Sequence, residues 1–391
     1  MSVSFKASAL RLANRLDEVG FSDIVVIRNK VMALLAEGRS VYQFQGGEPF
    51  FPTPPEIKDA MTRALQEEKT RYAPSSGLLE LRRLFAAKLR SRNAIHADPD
   101  DVIVTNGGMH ALSAAFNTVL NPGDETLIFS PYWTPIRDMV AGCQSRPVLV
   151  DTRAARERGI SGMLAGHITE QTRAIYYNTP QNPSGLVFDR REAEEVAAFA
   201  QEYDLIVIAD EAYEDLVYEG QHVSIASLPG MFERTITCFT LSKSYSMTGW
   251  RVGYAVAREP WMTGLRKMVL YTTNGVSTPS QWAAVTAMNT PVESLMGRRE
   301  QFRQRRDLLV NGLNEIGLNC AMPAGAFYAF PDVASIHRDS RVAASRLLEA
   351  AQVATVPGIV FGPEGESHLR FSFSTAMETI QAGLDSLRRN L

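Results

Sequence analysis

Ser242-Lys243-Ser244 follows the apolar run Thr235 to Phe239 and precedes Gly249-Trp250-Arg251, and this stretch of the 391-residue chain is the best suited to chemistry. A lysine at the end of an apolar strand is partly desolvated, which favours its neutral amine and lets it form an imine with an aldehyde. Arg251, beyond a glycine turn, supplies a planar, permanently charged fork for a phosphate. Upstream, the buried-strand pattern Ile206 to Ala209 runs directly into Asp210-Glu211-Ala212-Tyr213. Asp210 therefore falls at the carboxyl end of a strand, where open α/β sheets bind ligands. Earlier still, the strand Arg173 to Tyr177 leads into Asn178-Thr179-Pro180-Gln181-Asn182-Pro183-Ser184-Gly185. The proline behind Asn182 biases that residue toward an extended backbone and fixes where its amide points. Taken singly, Ser-Lys-Ser reads as a surface lysine, Asn-Pro as a loop and Asp after a strand as a helix cap. Their order and spacing give them weight.

In that order the chain resembles the class I aminotransferases, pyridoxal-phosphate enzymes of the aspartate aminotransferase fold. The resemblance rests on Gly47-Glu48-Pro49, Tyr72-Ala73-Pro74 with Gly77, Gly107-Gly108, Pro131-Tyr132-Trp133, Asn182-Pro183-Ser184-Gly185, Asp210-Glu211-Ala212-Tyr213, Ser242-Lys243, Gly249-Trp250-Arg251 and Arg370. It implies that Lys243 holds the cofactor as an imine and moves a proton once displaced. Asp210 then keeps the ring nitrogen protonated as a charge-assisted pair. Tyr213 and Asn182 match donors to the phenolic oxygen, and Trp133 matches a ring stacked on the pyridine face, against the plainer reading of a core tryptophan. Gly107-Gly108-Met109 follows the strand Val102 to Thr105 and opens a helix beginning near Ala111, so its N–H groups suit a phosphate together with Thr240, Ser242 and Arg251. Tyr72 matches a tyrosine that reaches the phosphate from the neighbouring subunit, which implies a homodimer with shared sites. Arg370, in the alternation His368 to Phe373, is the expected grip on the substrate carboxylate, with Gly47 and Asn182 as helpers. The plainer reading of Arg370 is an exposed edge-strand arginine.

These residues need a scaffold that gathers distant segments. Short β-branched or aromatic runs recur at Val102 to Thr105, Thr126 to Phe129, Pro147 to Val150, Arg173 to Tyr177, Leu205 to Ala209, Thr235 to Thr240 and Val252 to Ala257. Alternation with helical stretches predicts an α/β fold with a mainly parallel sheet covered by helices. The resemblance implies fold type I, one antiparallel strand, a large domain over residues 51–285, and a smaller α+β domain from residues 1–50 plus 286–391. With 45% apolar residues the chain can bury a large core. A formal charge of −3 gives no basic field for nucleic acid. No apolar run reaches membrane-spanning length, and the charged stretch Arg11 to Glu18 is unlike a signal peptide. Isolated Cys143, Cys238 and Cys320 lack metal or disulfide spacing, pointing to a reducing cytoplasm and no structural metal. The charge cluster Arg298 to Arg306, like Arg388-Arg389, reads as a solvated helix face.

Substrate choice is where the sequence departs from the family pattern. Aspartate-preferring bacterial relatives usually have lysine just after the double glycine, where this chain has Met109. Animal-type relatives use an arginine from the neighbouring subunit, and the matching region Val269 to Gln281 has no arginine or lysine. A second carboxylate buried without a cation is costly, so Met109 and Ile24 predict tolerance of apolar or aromatic side chains. Lys30 and Arg28 are the alternative cations. The expected activity is amino transfer between an L-amino acid and a 2-oxo acid in a ping-pong cycle. C–S lyases, cyclopropane-carboxylate synthases and non-enzymatic regulators share the scaffold and are the competing readings.

Overall fold

The computed structural model describes residues 12–21 and 23–391. Residues 1–11, the start of the expected small-domain segment, and Ser22 lie outside the described residues, as does Arg11 of the charged N-terminal stretch. After the short β1 (Tyr42–Gln43), the chain builds a seven-stranded sheet from β2 (Val102–Thr105), β3 (Glu125–Ser130), β4 (Arg146–Asp151), β5 (Thr172–Asn178), β6 (Ile206–Asp210), β7 (Thr235–Thr240) and β8 (Gly253–Val256). Their order is β2-β8-β7-β6-β5-β3-β4. Only β8 is antiparallel to its neighbours, as expected. Each expected run agrees with its strand to within one residue at either end.

Every residue of β2, β3, β6 and β8 is buried. Strands covered on both faces read as continuous apolar runs, which is why they stand out in the sequence. Successive side chains go to opposite faces. Ile103, Ile128, Tyr176, Ile208 and Cys238 pack with the helix Gly108–Val119 on one face. Val104 and Tyr254 pack with Leu81 and Phe85, while Leu127, Ile175 and Val207 pack with Val196 and Phe199 of the helix Arg190–Glu202. That last helix starts with a capping box: Asp189 Oδ1 accepts from Glu192 N at 2.8 Å, and Glu192 Oε2 accepts from Asp189 N at 2.8 Å.

A separate core forms around Phe44, Phe302, Leu309, Leu313, Phe327 and Phe371. There β9 (Tyr328–Ala329) and β11 (Val356–Pro357) flank β12 (Leu369–Ser372) in an antiparallel sheet, while β1 pairs in parallel with β10 (Val353–Ala354). Two expectations need correction. The helix expected near Ala111 begins at Gly108, because the glycine pair itself forms its entry. The charged run on helix Val292–Glu315 is not wholly solvated, since Arg305 and Arg306 are buried. Arg305 Nε donates to Thr375 O at 2.9 Å and Arg306 Nη1 to Pro323 O at 2.9 Å, so their stems pack inside while their heads serve backbone carbonyls.

Candidate active site

The parallel strands all end at one edge of the sheet, and the expected chemistry collects there. Asp210 ends β6, Asn178 ends β5 and Thr240 ends β7, with Lys243 just beyond. The antiparallel β8 starts at the same edge, which brings Arg251, two residues before Gly253, to the same place. A cavity of about 330 Å³ opens between this edge and β9 and β12. It is lined by the expected Ile24, Gly47, Gly108, Met109, Trp133, Asn182, Asp210, Tyr213, Thr240, Ser242, Lys243, Arg251 and Arg370.

Lys243 Nζ donates to Gly47 O at 2.6 Å. Burial first, then the positive charges of Arg370 and Arg251, lower the amine's pKa to about 8, against the opposing pull of Glu48 and Asp210. A neutral, nucleophilic fraction is therefore available near physiological pH. Asp210 moves the other way: burial raises its carboxyl to about 6, although Tyr176 and the Ala212 N–H both oppose the rise. Tyr213 is buried and its hydroxyl lies 2.9 Å from that of Tyr328.

At the other end of the cavity the backbone leaves room for an anion. Gly107 precedes the helix with a φ of 80°, and a Cβ there would lie 2.5 Å from Arg251 Nη2. Any side chain at position 107 would thus displace the guanidinium from the helix N-terminus. Thr240 Oγ1 and Ser242 Oγ stand 2.9 Å apart beside it, and Arg251 Nη1 is held by Thr248 O at 2.9 Å. Helix N–H groups, two hydroxyls and a guanidinium form a donor set suited to a phosphate.

Arg370 is only 2% exposed, in the middle strand of its sheet, so the edge-strand reading fails. Nη1 donates to Asn182 Oδ1 and Nη2 to Gln45 O, each at 3.0 Å, while Nε has no partner among the described residues. The guanidinium lies 4.3 Å from the Tyr328 ring centroid. A buried cation satisfied by an amide oxygen and a carbonyl, rather than by a carboxylate, is suited to accept a carboxylate from outside.

Other expected residues fall elsewhere. Tyr72 is 91% exposed and does not line the cavity. Gly107 supports the cavity from behind Gly108 and Arg251. Trp133 both lines the cavity and packs on the core, so its two readings are compatible. Lys30 lines a different cleft with Asp23 and Arg341, and Arg28 lies on the exposed side of the helix Asp23–Ala36. The sequence reading missed Asn178, Tyr328 and Tyr176. Asn178 donates to Asp210 O at 2.9 Å and accepts from Asn182 N at 3.1 Å, tying two motifs together. Its place at the end of an apolar strand was the available signal.

Comparison with known proteins agrees with this geometry. The family model for aminotransferase class I and II matches residues 39–387. An aspartate/prephenate aminotransferase of Thermus thermophilus is 37% identical, with 97% of this chain and 98% of that protein covered. An aromatic-amino-acid aminotransferase of Thermococcus litoralis is 36% identical, with 98% of each covered. The solved structure of an aspartate aminotransferase from Thermus thermophilus with maleate superposes with a TM-score of 0.93 at 36% identity, covering 98% of this chain and 100% of that one. With the same fold, similarity along almost its whole length and an amine, a carboxylate and a guanidinium in one cavity, the chain belongs to the class I and II aminotransferases.

Proposed function

We propose that the chain binds pyridoxal 5'-phosphate in this cavity and uses it to move an amino group from an L-amino acid to a 2-oxo acid. The observation that carries this reading is that Lys243, Asp210 and Arg370 line one cavity while, among the described residues, none of them has an opposite charge as a hydrogen-bond partner. Bound there, pyridoxal phosphate supplies an aldehyde for the substrate's amino group and an electron-withdrawing ring that acidifies the α-hydrogen. Lys243 anchors the cofactor and then carries the proton released at the substrate α-carbon. Asp210 would hold a proton on the ring nitrogen, and Tyr213 and Asn182 would donate to the phenolic oxygen. Trp133 would cover the ring, and Gly107, Gly108, Met109, Thr240, Ser242 and Arg251 would hold the phosphate. Arg370 grips the substrate carboxylate, with Asn182 and the Gly47 backbone alongside.

Ile24 and Met109 line the cavity, whose cations Lys243, Arg251 and Arg370 already have these roles. An apolar or aromatic side chain therefore suits the cavity better than a second carboxylate. A large domain over residues 51–285 and a small domain from residues 1–50 plus 286–391 are supported by the core around Phe44, Phe302 and Phe371, which is distinct from the cores of the large sheet, and by a cavity lined from both stretches. Exposed Tyr72 fits service to a partner's site in a homodimer, and three cysteines free of disulfides suit the cytoplasm.

Incubating the purified chain with pyridoxal phosphate, an amino acid and 2-oxoglutarate tests the reaction. Amino transfer consumes both substrates. Release of ammonia or sulfide without the oxo acid would favour the lyase reading instead.

A further inference from the structure

β5 carries two adjacent tyrosines, Tyr176 and Tyr177, directly after its apolar Ala174 and Ile175, and both are buried. A buried tyrosine ordinarily finds a partner for its hydroxyl. Strand alternation sends the two to opposite faces of the sheet. Tyr177 packs on one face and its hydroxyl has no hydrogen-bond partner among the described residues. Tyr176 lies on the other face with Ile208, and its hydroxyl donates to Asp210 Oδ2 at 2.7 Å. The parallel register, with Tyr176 opposite Ile208 and Asn178 opposite Asp210, puts the phenol one pleat behind the carboxylate it reaches.

We propose that Tyr176 is a positioning residue of the active site, whose hydroxyl holds the Asp210 carboxylate ionised and turned toward the ring nitrogen of the bound cofactor. The inference rests on the reading that Asp210 meets that nitrogen. Asp210 accepts from Tyr176 through Oδ2 and from the Ala212 N–H through Oδ1, at 3.2 Å. A carboxylate has about four acceptor positions, so acceptor capacity remains toward the cavity that Asp210 lines. Two donors on different oxygens also fix its plane.

The other groups near Asp210 leave this task to Tyr176. Glu211, its chain neighbour, raises the Asp210 pKa and turns its own oxygens to Ser224 and His222. Lys243 favours the anion, but its hydrogen bond goes to Gly47. Cys238, opposite Asp210 on β7, and Tyr213 both have pKa values raised well above their usual range, by burial first, so they stay neutral. Tyr176 is likewise held protonated, by burial and then by Asp210 itself, and remains a donor throughout the working range.

The test compares Tyr176→Phe with the wild type in equilibrium binding of two compounds to the apoenzyme. One is pyridoxal phosphate and the other its carbocyclic analogue, with C–H in place of the ring nitrogen. Loss of a hydrogen bond to a charged group should weaken pyridoxal phosphate binding about tenfold while the analogue changes by no more than about twofold. Equal losses for both compounds, or none for either, would overturn the proposal by showing that the phenol merely packs. A wild-type chain that binds neither compound would instead sink the cofactor reading itself. A double-mutant cycle supplies a second check, because Tyr176→Phe should cost nothing further in an Asp210→Asn background. Fully additive losses would also overturn the proposal.

Discussion

Two buried polar clusters lie back to back around the Asp210-Glu211 pair, and they treat charge in opposite ways. Behind Glu211, nearly every charge has a protein partner. Lys88 hydrogen-bonds Glu214, Arg92 pairs with Asp215, and Asn93 Nδ2 donates to Glu214 Oε2 at 2.6 Å. Glu211 takes Ser224 Oγ at 2.7 Å and lies 2.8 Å from His222 Nε2. Burial alone would raise the Glu214 carboxyl, but Lys88, His222 and Arg92 outweigh it and hold the pKa below the usual value. Glu211, Glu214 and His222 are close enough together to hold a metal ion. Because Lys88, Asn93 and Ser224 already occupy the carboxylates, we read the cluster as structural. In front of Asp210 the charges of Lys243, Asp210 and Arg370 have neutral partners. A buried charge matched by the protein holds the fold together; one left unmatched awaits a ligand, at a cost in stability.

The contrast can be broken most severely at Lys243. Lys243→Ala should leave the chain folded yet lower amino transfer by more than about a thousandfold, since in the proposed reaction one amine both anchors the cofactor and carries the proton. Circular dichroism and a coupled assay check both halves. On the matched side the effect should fall on the fold. Glu214→Ala strands Lys88 and should cost about 3 kcal/mol in denaturant unfolding. A variant as stable as the wild type would show that the cluster is not structural.

Asp210→Asn should stabilise the apoenzyme by roughly 1–3 kcal/mol at pH 8. The sign follows from its direction: a carboxyl raised to about 6 in the folded chain favours folding when protonated. That contribution is complete below the unfolded pKa and is lost as pH rises through 6, so the advantage of Asn should shrink toward zero near pH 4. Unfolding midpoints across this range provide the measurement. The smallest expected change concerns substrate choice. Met109→Lys adds a cation to the cavity and should raise the kcat/KM ratio of aspartate to phenylalanine by about tenfold. An unchanged ratio in an enzyme that already prefers aspartate would show that another residue holds the distal carboxylate.

Much of this was legible in the chain because buried parallel strands are continuous apolar runs, and their ends announce themselves with Asp210 and Thr240. Asn182 and Arg370, 188 residues apart, were each recognised by their own segment, and their hydrogen bond joins the two readings. Tyr176 was not legible: an aromatic residue inside a strand looks like core, and its partner lies on the next strand. Tyr328 also looks like core, and its hydroxyl partner Tyr213 lies 115 residues away in a turn after β6. Arg305 and Arg306 were misread because a run of arginines on a helix does not reveal which ones meet backbone carbonyls from other segments.

The central claim is that the unmatched charges around Lys243 form the cofactor site. Borohydride reduction of the chain loaded with pyridoxal phosphate, followed by peptide mapping, tests it most directly. A pyridoxyl label on the peptide bearing Lys243, absent when Arg251 and Lys243 are both replaced by alanine, is the predicted result. A label on any other lysine, or none at all in a folded chain saturated with cofactor, would contradict the account.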